Sequence, residues 1–223
     1  MMTFEGVRFR DLSVPSLALP PGITTLIGPN GAGKSTFLKL CAGIKEPEEG
    51  LVSIDGSSPR QTEVGYVNEF PDRNLLFSTV KDELASPLRF RHISCAETER
   101  EVRACAERWG MGGLLDRDAR DLSGGEKCLV ALATAGITRP RVLVLDEYDS
   151  HLDAGRCAVA ECILRSSGAP YIIRCTQQME AAAESDQLLF LEKGRIVHAG
   201  EPAAVFAELA GTPFYPLSWR CRR

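Results

Sequence analysis

No apolar stretch in this 223-residue chain approaches the roughly 18 residues of a membrane-spanning helix. Residues Met1 to Asp11 have no continuous apolar core of the secretory kind. A basic excess is also missing: 26 Lys+Arg stand against 30 Asp+Glu, for a net charge of -4. That balance gives no nucleic-acid footprint. None of the eight cysteines (Cys41, Cys95, Cys105, Cys128, Cys157, Cys162, Cys175, Cys221) belongs to a Cys-x-x-Cys pair, and no His stands at zinc-finger spacing from one. Structural zinc and disulfide scaffolds are thereby set aside, and the thiols are read as reduced packing residues, with Cys41 and Cys128 on helices. Internal repeats, low-complexity tracts, Pro-rich linkers and sustained heptads are absent as well. What remains is an ordinary soluble composition, 44% hydrophobic and 25% charged, expected to fold in the cytoplasm and to serve a membrane only through a partner.

The apolar pattern is that of strands alternating with helices. Ile23 to Ile27 is a short apolar run ending at Gly28. After it, Phe37, Leu40, Cys41 and Ile44 hold the i, i+3, i+4, i+7 spacing of a buried helical stripe, with Gly43 as the stop. Val52 to Asp55 alternates. Val142 to Leu145 and Tyr171 to Cys175, each preceded by a proline (Pro140, Pro170), read as strands buried on both faces. Leu188 to Leu191, Lys193-Gly194 and Arg195 to Val197 read as a hairpin. Between Val80 and Gly136 strand signals vanish; Glu97 to Arg108 is a charged helix with Val102, Cys105, Ala106 and Trp109 on one face. The expectation is an α/β fold with a mostly parallel sheet and a helical insertion.

Three segments carry chemistry. Gly28-Pro-Asn-Gly-Ala-Gly-Lys-Ser35 fits G-x-x-x-x-G-K-[ST] between a strand and a helix. Its glycines let backbone N–H groups surround phosphate oxygens, the helix N-terminus adds a positive dipole end, Lys34 supplies a mobile charge, and Ser35 offers a hydroxyl to Mg²⁺. Val142-Leu-Val-Leu-Asp146-Glu147 sets two carboxylates at the C-terminal edge of a strand, where open α/β sheets bind ligands. Asp146 suits the Mg²⁺ water shell and Glu147 suits a general base. Leu122-Ser-Gly-Gly-Glu126 opens a helix with apolar Leu129, Leu132, Ala133 and Gly136. Ser123, Gly124 and Gly125 read either as a plain cap or as a second anion site for a nucleotide held by another chain.

In this order the motifs resemble the ATP-binding subunits of ABC transporters over essentially the whole chain. Gly28 to Ser35 matches Walker A, Leu122 to Glu126 the signature, Val142 to Glu147 Walker B, and Ser150-His-Leu-Asp153 the D-loop. The resemblance implies a P-loop NTPase core with N-terminal antiparallel strands (about 1–68 and 137–223) and a helical subdomain (about 69–136) in one ATP-binding domain. It implies ATP and Mg²⁺ as ligands. Gly28, Pro29, Asn30, Gly31, Ala32, Gly33, Lys34, Ser35 and Thr36, with Ser123, Gly124 and Gly125, would hold nucleotide. Ser35, Asp146 and Glu69 would hold the metal. It further implies a head-to-tail homodimer or heterodimer, a separate transmembrane permease as partner, no nucleic acid, and a peripheral position on the inner face of the cell membrane. Phe70-Pro-Asp-Arg-Asn-Leu-Leu-Phe-Ser-Thr-Val80 looks like the loop of energy-coupling-factor and cobalt-type importers. Soluble family ATPases of DNA repair or translation, which usually carry larger insertions, and a slow-turnover partner of a second ATPase are the alternatives.

Three positions depart from the family pattern. Glu69 replaces the Q-loop Gln; a carboxylate ligates Mg²⁺ well but repels phosphate when metal is missing. Gln177 replaces the switch His; its amide still donates a hydrogen bond but cannot become an imidazolium. The only aromatic near the expected adenine-stacking position is Phe9, whose alternation with Val7 points to the core. The basic tail Ser218-Trp-Arg-Cys-Arg-Arg223 is read as solvated.

Overall fold

The computed structural model describes residues 1–220. Nine strands form one sheet in the order β4-β1-β2-β9-β8-β3-β7-β6-β5. They are β1 (Met2–Phe9), β2 (Leu12–Leu19), β3 (Gly22–Ile27), β4 (Glu49–Ile54), β5 (Val64–Val67), β6 (Val142–Asp146), β7 (Tyr171–Cys175), β8 (Gln187–Glu192) and β9 (Arg195–Gly200). The block β8-β3-β7-β6-β5 is parallel throughout. β1 pairs antiparallel with β2 and β4, and β8 with β9. This is the expected mostly parallel sheet with antiparallel N-terminal strands.

The parallel strands are covered on both faces, which is why β6 reads as an unbroken apolar run and β7 as one interrupted by Arg174. Val142 and Val144 point into the cluster around α1 (Lys34–Cys41), whose Phe37 stacks on Phe4 with ring centroids 4.9 Å apart. Leu143 and Leu145 point into the opposite cluster, built with α2 (Val80–Phe90), α3 (Cys95–Arg108), α4 (Gly124–Gly136) and α5 (Ala154–Arg165). Full burial of each such side chain stabilises by about 1.5–3 kcal/mol. α2 packs on both α3 and α4, forming the helical region between β5 and β6. Two short helices, α6 (Met179–Ala183) and α7 (Pro202–Glu208), cover β8, and α8 (Leu217–Arg220) ends the described chain.

Several expectations need correction. The helix after β3 stops at Cys41 and Gly43 turns with φ 68°, so Ile44 lies beyond the stripe and is exposed. The β7 run is not all apolar: Arg174 is 1% exposed and faces the α5 side, as Ile172 does. Cys41, Cys105, Cys128 and Cys175 are buried free thiols, but Cys95 and Cys162 are exposed rather than packed. The tail is not wholly solvated, since Trp219 meets Phe206 edge-on with centroids 5.4 Å apart. Residues 221–223, Cys221 and two of the tail arginines among them, lie outside the described residues.

Candidate nucleotide site

The phosphate loop hangs from the C-terminal end of β3, between β8 and β7. Gly28 has φ 147°, and a Cβ there would stand 2.0 Å from the Leu191 carbonyl oxygen. Gly33 caps α1 with φ 104° and donates no side chain, leaving the helix N-terminus open to an anion. The turn at Lys193 (φ 46°) and Gly194 (φ 74°) joins β8 and β9 as expected for a hairpin, and Gly194 N–H donates to the Ala32 carbonyl at 3.0 Å, supporting the loop.

Lys34 is 6% exposed. Its ammonium donates to the Gly28 carbonyl at 3.0 Å and the Pro29 carbonyl at 3.3 Å, and stands 3.6 Å from Glu147 Oε1. One cleft of about 390 Å³ is lined by Asn30, Gly31, Gly33, Lys34, Ser35, Thr36, Glu69, Glu147 and Gln177. The sequence separation between Ser35 and Gln177 is thus closed by the parallel sheet. Gln177 Nε2 donates to Glu147 Oε2 at 2.7 Å. Glu147 itself sits at φ 45°, a left-handed conformation costly for a residue with a Cβ and frequent at functional sites.

Below the cleft, Ser35 Oγ donates to Asp146 Oδ1 at 3.2 Å. With Glu69 lining the same cleft, the donors are all hard oxygens, the set that Mg²⁺ prefers, so the residues present fit that ion. Two contacts to Asp146 escape a reading by motif. Cys175 Sγ donates to Oδ1 at 3.0 Å and Tyr66 O–H donates to Oδ2 at 3.4 Å. Burial, with Asp146 beside them, raises the ionisation of both well above their ordinary ranges, so both stay protonated donors. The signal for both was strand parity: Asp146 is in register with Cys175, and Tyr66 with Val144 two residues before Asp146.

Ser123, Gly124 and Gly125 do not line this cleft. They cap α4 through a capping box, with Glu126 N–H donating to Ser123 Oγ and Ser123 N–H to Glu126 Oε2 at 2.8 Å. That backbone bond holds the Glu126 carboxyl below its usual range. The cap abuts the loop after Walker B: a Cβ on Gly125 would lie 2.6 Å from Arg156 Nη1 and 3.2 Å from the His151 carbonyl. Phe9 is half-buried at the edge of the core rather than inside it. It lines a second opening with Gly31, Gly33 and Thr36, and the Arg10 guanidinium lies 5.6 Å from its ring centroid.

A profile described as "ABC transporter" matches residues 12–150. An energy-coupling factor transporter ATP-binding protein, EcfA1, of Latilactobacillus sakei is 36% identical over 82% of this chain and 69% of its own length. A biotin transport ATP-binding protein, BioM, of Rhizobium etli is 35% identical over 80% of this chain and 81% of its own. Among solved structures, cbiO1 of Clostridium perfringens, part of the ABC transporter complex cbiONQ, superposes with a TM-score of 0.80 at 25% identity, covering 93% of this chain and 91% of that one. The name of the first relative agrees with the energy-coupling-factor resemblance of the segment Phe70 to Val80. By its motifs, its sheet and its relatives, the chain belongs to the ABC transporter family.

Proposed function

We propose that the chain is the ATP-binding and ATP-hydrolysing subunit of a transporter, pairing around nucleotide and energising transport through a separate membrane permease. The observation that carries this reading is the convergence of Lys34, Glu147 and Gln177 in one cleft, over the Ser35–Asp146 contact. The loop from Gly28 to Ser35 and the α1 N-terminus grip the phosphates through backbone N–H groups, and Lys34 adds charge at the β- and γ-phosphates. Phosphate oxygens compete with Glu147 for the Lys34 ammonium, which frees the Glu147 carboxylate to take a proton from the attacking water. Gln177, bonded to that carboxylate, orients it. Ser35, Asp146 and Glu69 would hold Mg²⁺, which, when bound, neutralises charge on the transferred phosphoryl group. Phe9 offers a face for the base.

Ser123, Gly124 and Gly125 are read as the phosphate-facing group of the second subunit's nucleotide, because they lie apart from this chain's own cleft. The 1–68 and 137–223 segments are read as one α/β core with the helical 69–136 segment as the permease-facing subdomain. Phe70, Leu76 and Phe77, large apolar side chains left exposed in that segment, suit a protein partner. Among the described residues no helix is long and apolar enough to cross a membrane, and the permease is the proposed point of attachment to the bilayer. Whether the second ATPase subunit is identical or different turns on Gln177, a neutral donor that fits a site of slow turnover. Mg²⁺-dependent phosphate release from ATP by the purified chain, lost in Glu147→Gln while ATP binding persists, is the expected result; binding without any release would remove the hydrolytic reading.

A further inference from the structure

The side chain least expected from its place in the sequence is Arg174, a guanidinium in the middle of a core strand. Four elements meet on it. Nε donates to Thr25 Oγ1 at 3.0 Å, on the strand that carries the phosphate loop. Nη1 donates to Tyr148 Oη at 3.2 Å and to Glu161 Oε1 on α5. Nη2 donates to the Ala181 carbonyl at 2.9 Å on α6. Tyr148 O–H in turn donates to Glu161 Oε1, and burial lifts its ionisation above the ordinary tyrosine range, keeping it a donor.

Arg174 and two of its partners, Tyr148 and Thr25, are covalently close to working parts of the cleft. Tyr148 directly follows Glu147, whose left-handed backbone needs holding. Arg174 lies on β7 shortly before Gln177, which follows the strand, and Thr25 lies on β3 shortly before Gly28. A second tie runs parallel, since Thr176 O–H donates to Asp149. A buried charged network of this kind adds little net stability over an apolar replacement, but its partners are costly to separate. It fixes geometry more than it adds stability.

We propose that the Tyr148–Arg174–Glu161 network is a positioning device for the hydrolytic pair, setting the Glu147 turn against the Gln177 loop. None of its members touches the cleft, so they are positioning residues acting through Glu147 and Gln177. The inference rests on the hydrolytic reading above. A neutral amide at 177 makes such a device valuable, because no ion pair draws Gln177 and Glu147 together.

The test is a double-mutant cycle on the full chain, with Tyr148→Phe and Gln177→Ala measured for kcat, KM for Mg-ATP and melting temperature. Tyr148→Phe keeps the ring and removes the hydroxyl. The expected result is a loss in kcat of about tenfold with KM within about twofold. In the Gln177→Ala background the same change costs less than about twofold, because the contact it positions is already gone. A purely structural role would lower the melting temperature and leave kcat per folded enzyme unmoved, and that outcome, or an equal loss in both backgrounds, overturns the proposal. Should Tyr148→Phe not fold, Glu161→Gln enters the same cycle with the same expectations. A wild-type chain that binds ATP without turnover defeats the hydrolytic reading itself; an active wild type with an unmoved Tyr148→Phe defeats this inference alone.

Discussion

The two sides of the nucleotide cleft are built differently. The side we assign to phosphate is one contiguous segment, Gly28 to Thr36, whose proposed grip is backbone N–H groups and a helix end. The hydrolytic side is assembled from side chains on separate elements, Glu69 after β5, Glu147 after β6 and Gln177 after β7. The first follows the family pattern without a mismatch, and the second departs from it at Glu69 and Gln177. A backbone grip depends on conformation, which few residues other than glycine can supply, whereas a side-chain apparatus can be retuned one residue at a time.

Substitutions that hit one side alone test that division. Glu147→Gln should lower single-turnover hydrolysis by about 1,000-fold, within the range assigned to a positioned general base, while equilibrium ATP binding is retained. Equal loss of both would erase the distinction between the sides. Lys34→Ala removes a charge-assisted contact and should weaken ATP affinity by about 100-fold in a fluorescent-nucleotide titration, taking turnover with it. Gln177→His should raise kcat by about tenfold if the switch position limits turnover. It should also add a pH dependence that the wild type lacks, because imidazole titrates near about 6.5 and an amide does not. No gain on restoring His would count against slow turnover as the meaning of Gln177. The smallest effect is expected at Glu69→Gln: ATP affinity in chelator should rise about threefold, as one negative charge leaves an exposed phosphate cleft, with little change when Mg²⁺ is present.

How much could be read in advance tracks the same division. The phosphate loop, the strand ending in Asp146 with Glu147 just after it, and the cap at Ser123 are local patterns, and each stands where its spacing put it. The N-terminal antiparallel strands came only through the resemblance, since β2 carries Pro15 and β1 carries Gly6, residues that weaken a strand signal. Arg174 was hidden inside an apolar run because its four partners lie on four separate elements that only the fold brings together. Tyr66 and Cys175 became visible only with the register of β5, β6 and β7. Ile44 was misplaced by letting a helical period run past its glycine stop, and Phe9 by a strand parity that does not say how close the edge of the core lies to the cleft.

The position of β3 in the sheet bears on the order in which the molecule is made. Both strands that flank it, β7 and β8, are encoded in the last third of the chain, and the Gly194 turn beneath the phosphate loop comes later still. A nascent chain emerging from the ribosome therefore displays its complete phosphate-loop motif long before the strand behind it has a neighbour on either side. During synthesis the motif exists without the site, and competence to grip nucleotide arrives only when the C-terminal strands slot in beside β3.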